Sequence, residues 1–342
     1  MMSHSARPSS YRAYADAAIA ALQGWYDSTT GLYASVTWWH TAICLDAVID
    51  YMACTGNRDV LGILATTFEK NASGNFLENS YDDMAWWALA WINAFDLTAE
   101  ARYLEMAQTI FVAMQQGWDD VCGGGVWWDF ARSYKNAITN ELFLLLALRL
   151  HRRSTVDTER ESYRAWIDRE WNWFKASGMI NEDHLINDGL RNCQNNGGTT
   201  WTYNQGIIVA ALAEMYQITG ESAYLTEAEM IADAVMRILA APDGILREPC
   251  EVKGCDSNGA QFKGIFVRNL YTLYQIHEQP RYRAFILQNV TSLWENNRNE
   301  FNQFGSHWAG QHDSADASRQ SSAVHAINAA MALADASGFL VP

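Results

Sequence analysis

An all-α fold, an (α/α)6 barrel of six inner and six outer helices, is the architecture this sequence predicts, and three observations predict it. A helical period of apolar residues recurs almost throughout the 342 residues, which contain only five prolines. The helices so read alternate between a short and a long connection, as helical hairpins do when each must share a core with its neighbours. Every second helix starts directly after a loop, nearly always on mixed aromatic and polar residues, whereas the others start as ordinary surface helices. The whole chain, 1–342, reads as one domain, with residues 1–8 outside its folded part. No strand pattern of comparable length competes.

In order, the first helix runs from Ser9 to Leu22, with Tyr14, Ala18, Ile19 and Leu22 at helical spacing. Helices follow at about Thr37–Met52, Asp59–Lys70, Asp82–Phe95 and Thr98–Gln116, the last stopped by Gly117. Gly123-Gly124-Gly125-Val126-Trp127-Trp128 is a glycine-rich loop, but no Gly-Lys-Ser/Thr opens the next helix, so it is no phosphate cradle. Helices are then expected at Lys135–His151 and Thr155–Ser177, followed by a long polar loop through Asn195-Asn196-Gly197-Gly198. Thr200–Gly220, Glu221–Leu239, Ala260–His277, Pro280–Asn297 and Asp316–Ala336 complete the twelve. The even-numbered starts carry Trp38-Trp39-His40, Tyr81-Asp82-Asp83, Tyr134-Lys135-Asn136, Tyr203-Asn204-Gln205, Phe262-Lys263 and Arg319-Gln320.

Composition narrows the function. A net charge of −15 disfavours nucleic acid and anionic membranes, and favours a neutral substrate. No apolar run approaches the length of a membrane span. Fifteen tryptophans fit a groove that stacks sugar faces as well as a core. Residues 1–10 lack the apolar core of a secretory signal, so the protein either stays in the cell or has lost a signal. Cys250 and Cys255 read as a local disulfide, and Asn71 and Asn289 head glycosylation sequons. These tip the expectation towards secretion. The other four cysteines fit no zinc pattern and read as buried thiols.

Asp82 and Asp83 are the candidate catalytic pair. Ser80-x-x-Asp83 also matches a capping box, and acids in a first turn suit the helix dipole. Two carboxyl groups flanking a sugar, one attacking and one protonating, are the usual equipment of a glycosidase. Trp86 and Trp87, four residues on, lie along the faces of the two acids and would lower the local dielectric. Candidate sugar contacts are Trp39, His40, Tyr81, Trp127, Trp128, Lys135, Asn136, Asn140, Tyr203, Asn204, Gln205 and Lys263. Each has a plainer alternative: core packing for the tryptophans, a helix cap for Asn136, a solvated charge for Lys263. His307, His312 and His325 lack metal-ligand spacing, and no metal or other cofactor is expected.

With those residues in place the chain resembles glycoside hydrolase family 76, the endo-α-1,6-mannanases and related transglycosidases. Tyr81-Asp82-Asp83-Met84-Ala85-Trp86-Trp87, the glycine-rich loop, Tyr134-Lys135-Asn136-Ala137-Ile138-Thr139-Asn140-Glu141-Leu142, Thr200 to Gly206 and Phe262-Lys263-Gly264 carry the resemblance over nearly the whole chain. It implies a retaining double displacement on α-1,6-linked mannose, with Asp82 as nucleophile and Asp83 as acid/base. His40 departs from the pattern, in which glutamine would follow the tryptophans. The expected partner is α-1,6-mannan or a mannose-containing oligosaccharide, met by a monomer. Transfer to a sugar acceptor and non-catalytic mannan binding are the alternatives. A terpene-cyclase-like enzyme would need a third aspartate and a basic cluster for diphosphate.

Overall fold

The computed structural model describes residues 8–335. The expectation placed on residues 1–7 lies outside them, whereas Pro8 already belongs to the first helix. Twelve α-helices occur among the described residues, with two minimal hairpins, Tyr26–Asp27 with Leu32–Tyr33 and Leu190–Arg191 with Gln194–Asn195.

One compact unit, Asn71–Ile238, contains α4 (Tyr81–Thr98), α5 (Ala101–Gln115), α6 (Ala137–Arg153), α7 (Asp157–Ala176), α8 (Thr202–Thr219) and α9 (Ser222–Ala234). Here α4 packs on α5, α6 on α7 and α8 on α9, while α6 also packs on both α4 and α8. Every residue of α6 from Ala137 to Leu150 is buried, as expected of a helix with apolar residues all round. In α5, by contrast, only the face of Tyr103, Met106, Ala107, Ile110, Phe111 and Met114 is covered.

The other unit, Met1–Lys70 with Leu239–Pro342, holds α1 (Pro8–Gln23), α2 (Trp38–Thr55), most of α3 (Gly62–Asn71), α10 (Ser257–Ile276), α11 (Pro280–Asn296) and α12 (Ala317–Asp335). Here α12 touches α1, α2, α10 and α11. Gly264 permits the α10–α12 approach, because a Cβ there would collide with the backbone of Ser322.

Loop polar groups recur in one arrangement. Asn140 accepts from Val126 N (2.7 Å) and donates to Val126 O (3.0 Å), and Gln205 treats Ile186 in the same way at 2.7 and 2.9 Å. Asn289 accepts from Leu246 N and Gln320 from Phe304 N in the other unit. Each held residue forms an isolated β-bridge in the loop after an odd-numbered helix. A buried backbone group needs a partner, and helix-borne amides supply it here.

Several boundaries shift by a few residues. Lys135 and Asn136 precede α6 instead of opening it, α10 starts earlier at Ser257 with Asp256 capping Gly259 N, and α9 ends in a π turn, Val235–Leu239. Cys250–Cys255 forms as expected. Cys122 and Cys193, expected as thiols, are also joined, across 71 residues of sequence. Asn289, which heads a sequon, is fully buried, its amide spent on Leu246 N, Gly244 O and Phe285 O.

Candidate active site

The mouth of α4 is not capped by the expected box. Ser80 is extended and its side chain caps nothing, because the chain there pairs with Asp129 in a β-bridge. Tyr81 N donates to Trp128 O at 2.8 Å, and Phe130 N to Asn79 O at 3.0 Å. Asp82 Oδ1 instead accepts the N–H of Asp83 at 3.0 Å, and Asp82 Oδ2 accepts the indole N–H of Trp128 at 3.1 Å. Both carboxylates are half-buried, while Trp86 and Trp87 one turn below are buried. Trp87 belongs to an aromatic stack with Phe76 and Trp91, so apolar rings back the pair.

That setting controls protonation. Burial pushes the Asp82 carboxyl well above the usual carboxylate range, and repulsion from Asp83 adds to it. Burial, with the charge of Glu78 behind it, raises Asp83 to about 7. Two carboxyls that repel each other lose their protons in steps belonging to the pair. One proton therefore stays on the pair up to neutrality.

The rim of this mouth is aromatic. Trp128 is 38% and Phe130 53% exposed, and Phe130 meets the buried Tyr81 edge-on at 5.0 Å. Phe130 carried no sequence signal beyond its place after Trp128-Asp129. Its neighbour Trp127 turns away from the carboxylates and donates its indole N–H to Asp119 (2.8 Å).

Lys135 is engaged inside the same loop. Its ammonium, 2% exposed, donates to Asp119 Oδ1 (2.9 Å), Val121 O (2.6 Å) and Gly124 O (2.6 Å), and lies 4.8 Å from the Trp127 ring centre. Burial lowers its pKa, and Asp119 opposes that. The glycines have a packing cause: at φ +91, Gly125 lies so close to Trp173 that a Cβ would strike the ring. Trp173 in turn donates to Cys122 O at 3.0 Å. Asn136 is the N-cap of α6, the alternative weighed for it.

Asn140, buried, spends its amide on Val126 and on Asn136 O (2.7 Å). Gln205 is likewise spent on Ile186 and on Trp201 O (3.0 Å). These partners are backbone groups, not sugar hydroxyls. Asn140→Leu, of similar volume, should therefore destabilise the fold by about 2–4 kcal/mol through orphaned backbone groups. Urea unfolding measures the loss, and an unchanged midpoint would refute it.

Tyr203 is half-buried, whereas Asn204 is buried with no hydrogen-bond partner for its amide among the described residues. Glu141, on α6, is also buried without a partner, and burial holds its carboxyl neutral, with Asp188 adding repulsion. Its only signal was an acid inside an apolar run. Asp188 accepts from Tyr134 Oη at 2.8 Å.

Three candidates belong to the other unit. The Trp39 ring stacks on His40 at 3.9 Å. His40 is buried, its Nδ1 2.8 Å from Thr37 Oγ1, and burial lowers its pKa to about 4, so it is neutral at pH 7. Lys263 is fully buried against Glu251 and Ser306 O (2.6 Å), with its ammonium 4.7 Å from the Trp308 ring centre. No group of three or more His, Cys, Asp or Glu that would hold a metal occurs among the described residues, nor any helix long and apolar enough to cross a membrane.

Comparison with known proteins gives the chain a family and a set of structural neighbours. The family model described as Glycosyl hydrolase family 76 matches residues 10–339. A Schizosaccharomyces pombe protein, provisionally named a mannan endo-1,6-alpha-mannosidase, is 31% identical over 276 residues, 73% of this chain and 61% of its own length. The Candida albicans mannan endo-1,6-alpha-mannosidase Dcw1 is 26% identical over 275 residues, covering 72% and 60%. The chain thus spans about three fifths of the length of the curated relatives it matches. The alpha-1,6-mannanase GH76A of Salegentibacter sp. HEL1_6 superposes with a TM-score of 0.85 at 25% identity, over 94% of this chain and 99% of its own. An inactive variant of that enzyme, with two consecutive aspartates changed to alanine and alpha-1,6-mannotetrose bound, superposes at 0.84, also at 25% identity and over the same shares. Such likeness shows the fold to be the (α/α)6 barrel.

Proposed function

Since this chain belongs to glycosyl hydrolase family 76, we propose that it is an endo-acting, retaining glycosidase of α-1,6-linked mannan, working through Asp82 and Asp83. The observation that carries the reading is the unequal setting of two adjacent acids at the α4 mouth: donors fall on Asp82, and the pair keeps one proton. The family match across nearly the whole chain supports one catalytic domain. The bound mannotetrose of the neighbouring mannanase variant supports the substrate class. Two disulfides support an oxidising, extracellular setting.

In the first step a carboxylate oxygen of Asp82 bonds to the anomeric carbon as the glycosidic C–O bond breaks. Asp83 gives its proton to the departing oxygen. Water then attacks the same carbon, Asp83 takes a proton from it, and the Asp82 ester bond breaks. The product keeps the α configuration. Trp128 and Phe130 offer exposed ring faces beside the pair, suited to apolar sugar faces.

The pH dependence has a definite sign. The reaction needs one proton on the pair, and with Asp83 at about 7 and Asp82 held well above the usual carboxylate range that proton is still present at neutrality, so kcat/KM should fall only as pH rises beyond neutrality and the proton is lost. On the acid side it falls when Asp82 also takes a proton. Rates on linear α-1,6-mannan between pH 4 and 9 check this. Activity unchanged from pH 4 to pH 9 would exclude a catalytic proton shared by the pair. Release of short α-configured oligosaccharides, followed by NMR, tests the function itself, and products longer than the substrate would reveal transfer.

A further inference from the structure

Hydrogen bonds divide the acidic pair unequally. Asp82 accepts two N–H donors, the backbone of Asp83 and the indole of Trp128, while no donor among the described residues reaches the Asp83 carboxylate. A hydrogen bond to a carboxylate favours its charged form. The Asp83 N–H comes with any helix start of this kind, but the indole N–H is delivered from a loop 46 residues away.

That delivery is built into the backbone. Trp128 N donates to Tyr134 O at 2.7 Å, and Trp128 O accepts from Tyr81 N at 2.8 Å, which ties the residue to the α4 mouth and to the loop's return. Lys135 and the Cys122–Cys193 bridge hold the same loop from its far side. The ring is aimed before any sugar arrives.

We propose that Trp128 is a positioning residue whose indole N–H favours the ionised form of Asp82 against its burial and so prepares it as the nucleophile. This rests on the glycosidase reading above and deepens it, since ring stacking alone needs no indole N–H. Of the other charged groups near the pair, one works in the same direction and the cations are taken up elsewhere. Glu78 repels negative charge at Asp83, while the cations Arg132 and Lys135 are committed to Asp119. Glu141 of α6 meets the charge of Asp188, and Gly117, just after α5, lies against the Tyr81 ring and brings no charge.

Trp128→Phe tests this, because it keeps an aromatic ring and removes only the donor. The acid limb of kcat/KM should move up by about one half to one pH unit, since Asp82 then holds its proton more tightly. The alkaline limb should stay in place, with kcat down about tenfold and KM within about threefold. Raised KM with both limbs unmoved would overturn the proposal in favour of stacking. A second readout separates it from the function: NMR titration of aspartate side chains labelled with ¹³C at the carboxyl carbon, in substrate-free protein. With signals assigned through Asp82→Asn and Asp83→Asn, the first ionisation of the pair should rise in Trp128→Phe, and an unmoved titration would overturn the proposal. If the wild-type protein leaves α-1,6-mannan intact, the functional reading fails and this titration still decides the role of Trp128.

Discussion

Asp82→Asn and Asp83→Asn should each lower cleavage of linear α-1,6-mannan by a factor on the order of 10³ or more, yet the two variants should fail differently. Both substitutions keep the shape of the side chain and remove one of two carboxyls that burial and repulsion hold above their ordinary range. A carboxyl raised in the folded state costs stability as pH rises, because the native protein then gives up its proton less readily than the unfolded chain. Each variant should therefore be at least as stable as the parent at pH 8, and inactivity will not be a folding defect. The distinction lies in the leaving group. A mannobioside with a dinitrophenyl leaving group needs no proton, so Asp83→Ala should still form the ester on Asp82, and added azide should collect it as an α-mannosyl azide. Loss of Asp82 removes the ester, and azide entering directly should give the β-azide. Swapped anomers would exchange the two roles. Ordinary activity in either asparagine variant would remove the pair from the mechanism.

Lys263→Met should act on stability, with an expected loss of about 3–5 kcal/mol, because it strands a buried carboxylate. Lys263 is fully buried, and Glu251, its partner, is 6% exposed. Burial draws the ammonium below its ordinary pKa, against the pull of Glu251. Glu251 also accepts from Glu248 N at 3.0 Å, closing the turn Pro249–Val252, and His307 Nε2 stands 3.4 Å away. Lys263→Met with Glu251→Gln should recover part of the loss, since the charge at Glu251 is then removed together with that of Lys263. Urea unfolding of the two single variants and the double gives the coupling directly. A sugar-binding lysine would instead leave unfolding unchanged and raise KM.

Lys263 illustrates how far a local pattern reaches. A lysine near a helix start beside an aromatic residue reads as a sugar ligand, because its neighbours in sequence are all that a pattern sees. Glu251 and Ser306 lie 12 and 43 residues away, in loops whose course depends on the packed helices. Lys135, Asn140 and Gln205 follow the same logic: each sits where a ligand was expected, and each is held by backbone groups 11 to 19 residues distant. The Cys122–Cys193 bridge has no sequence signal at all, since spacing says nothing about pairing across 71 residues. Cys250–Cys255, five residues apart, was legible because a loop of that length leaves few other partners.

By itself the sequence determined the twelve helices, their alternation and the place of Asp82 and Asp83 at a helix mouth. Those features depend on periodicity and end residues within one or two turns, which the chain carries locally. Tertiary structure alone decided which polar side chains face the site and which hold up its loops. It set Trp128 on Asp82, turned Trp127 towards Asp119, closed Lys263 over Glu251 and left Glu141 neutral in the core. Hydrogen-bond partners and desolvation belong to the packed chain, because both depend on groups that only folding brings together.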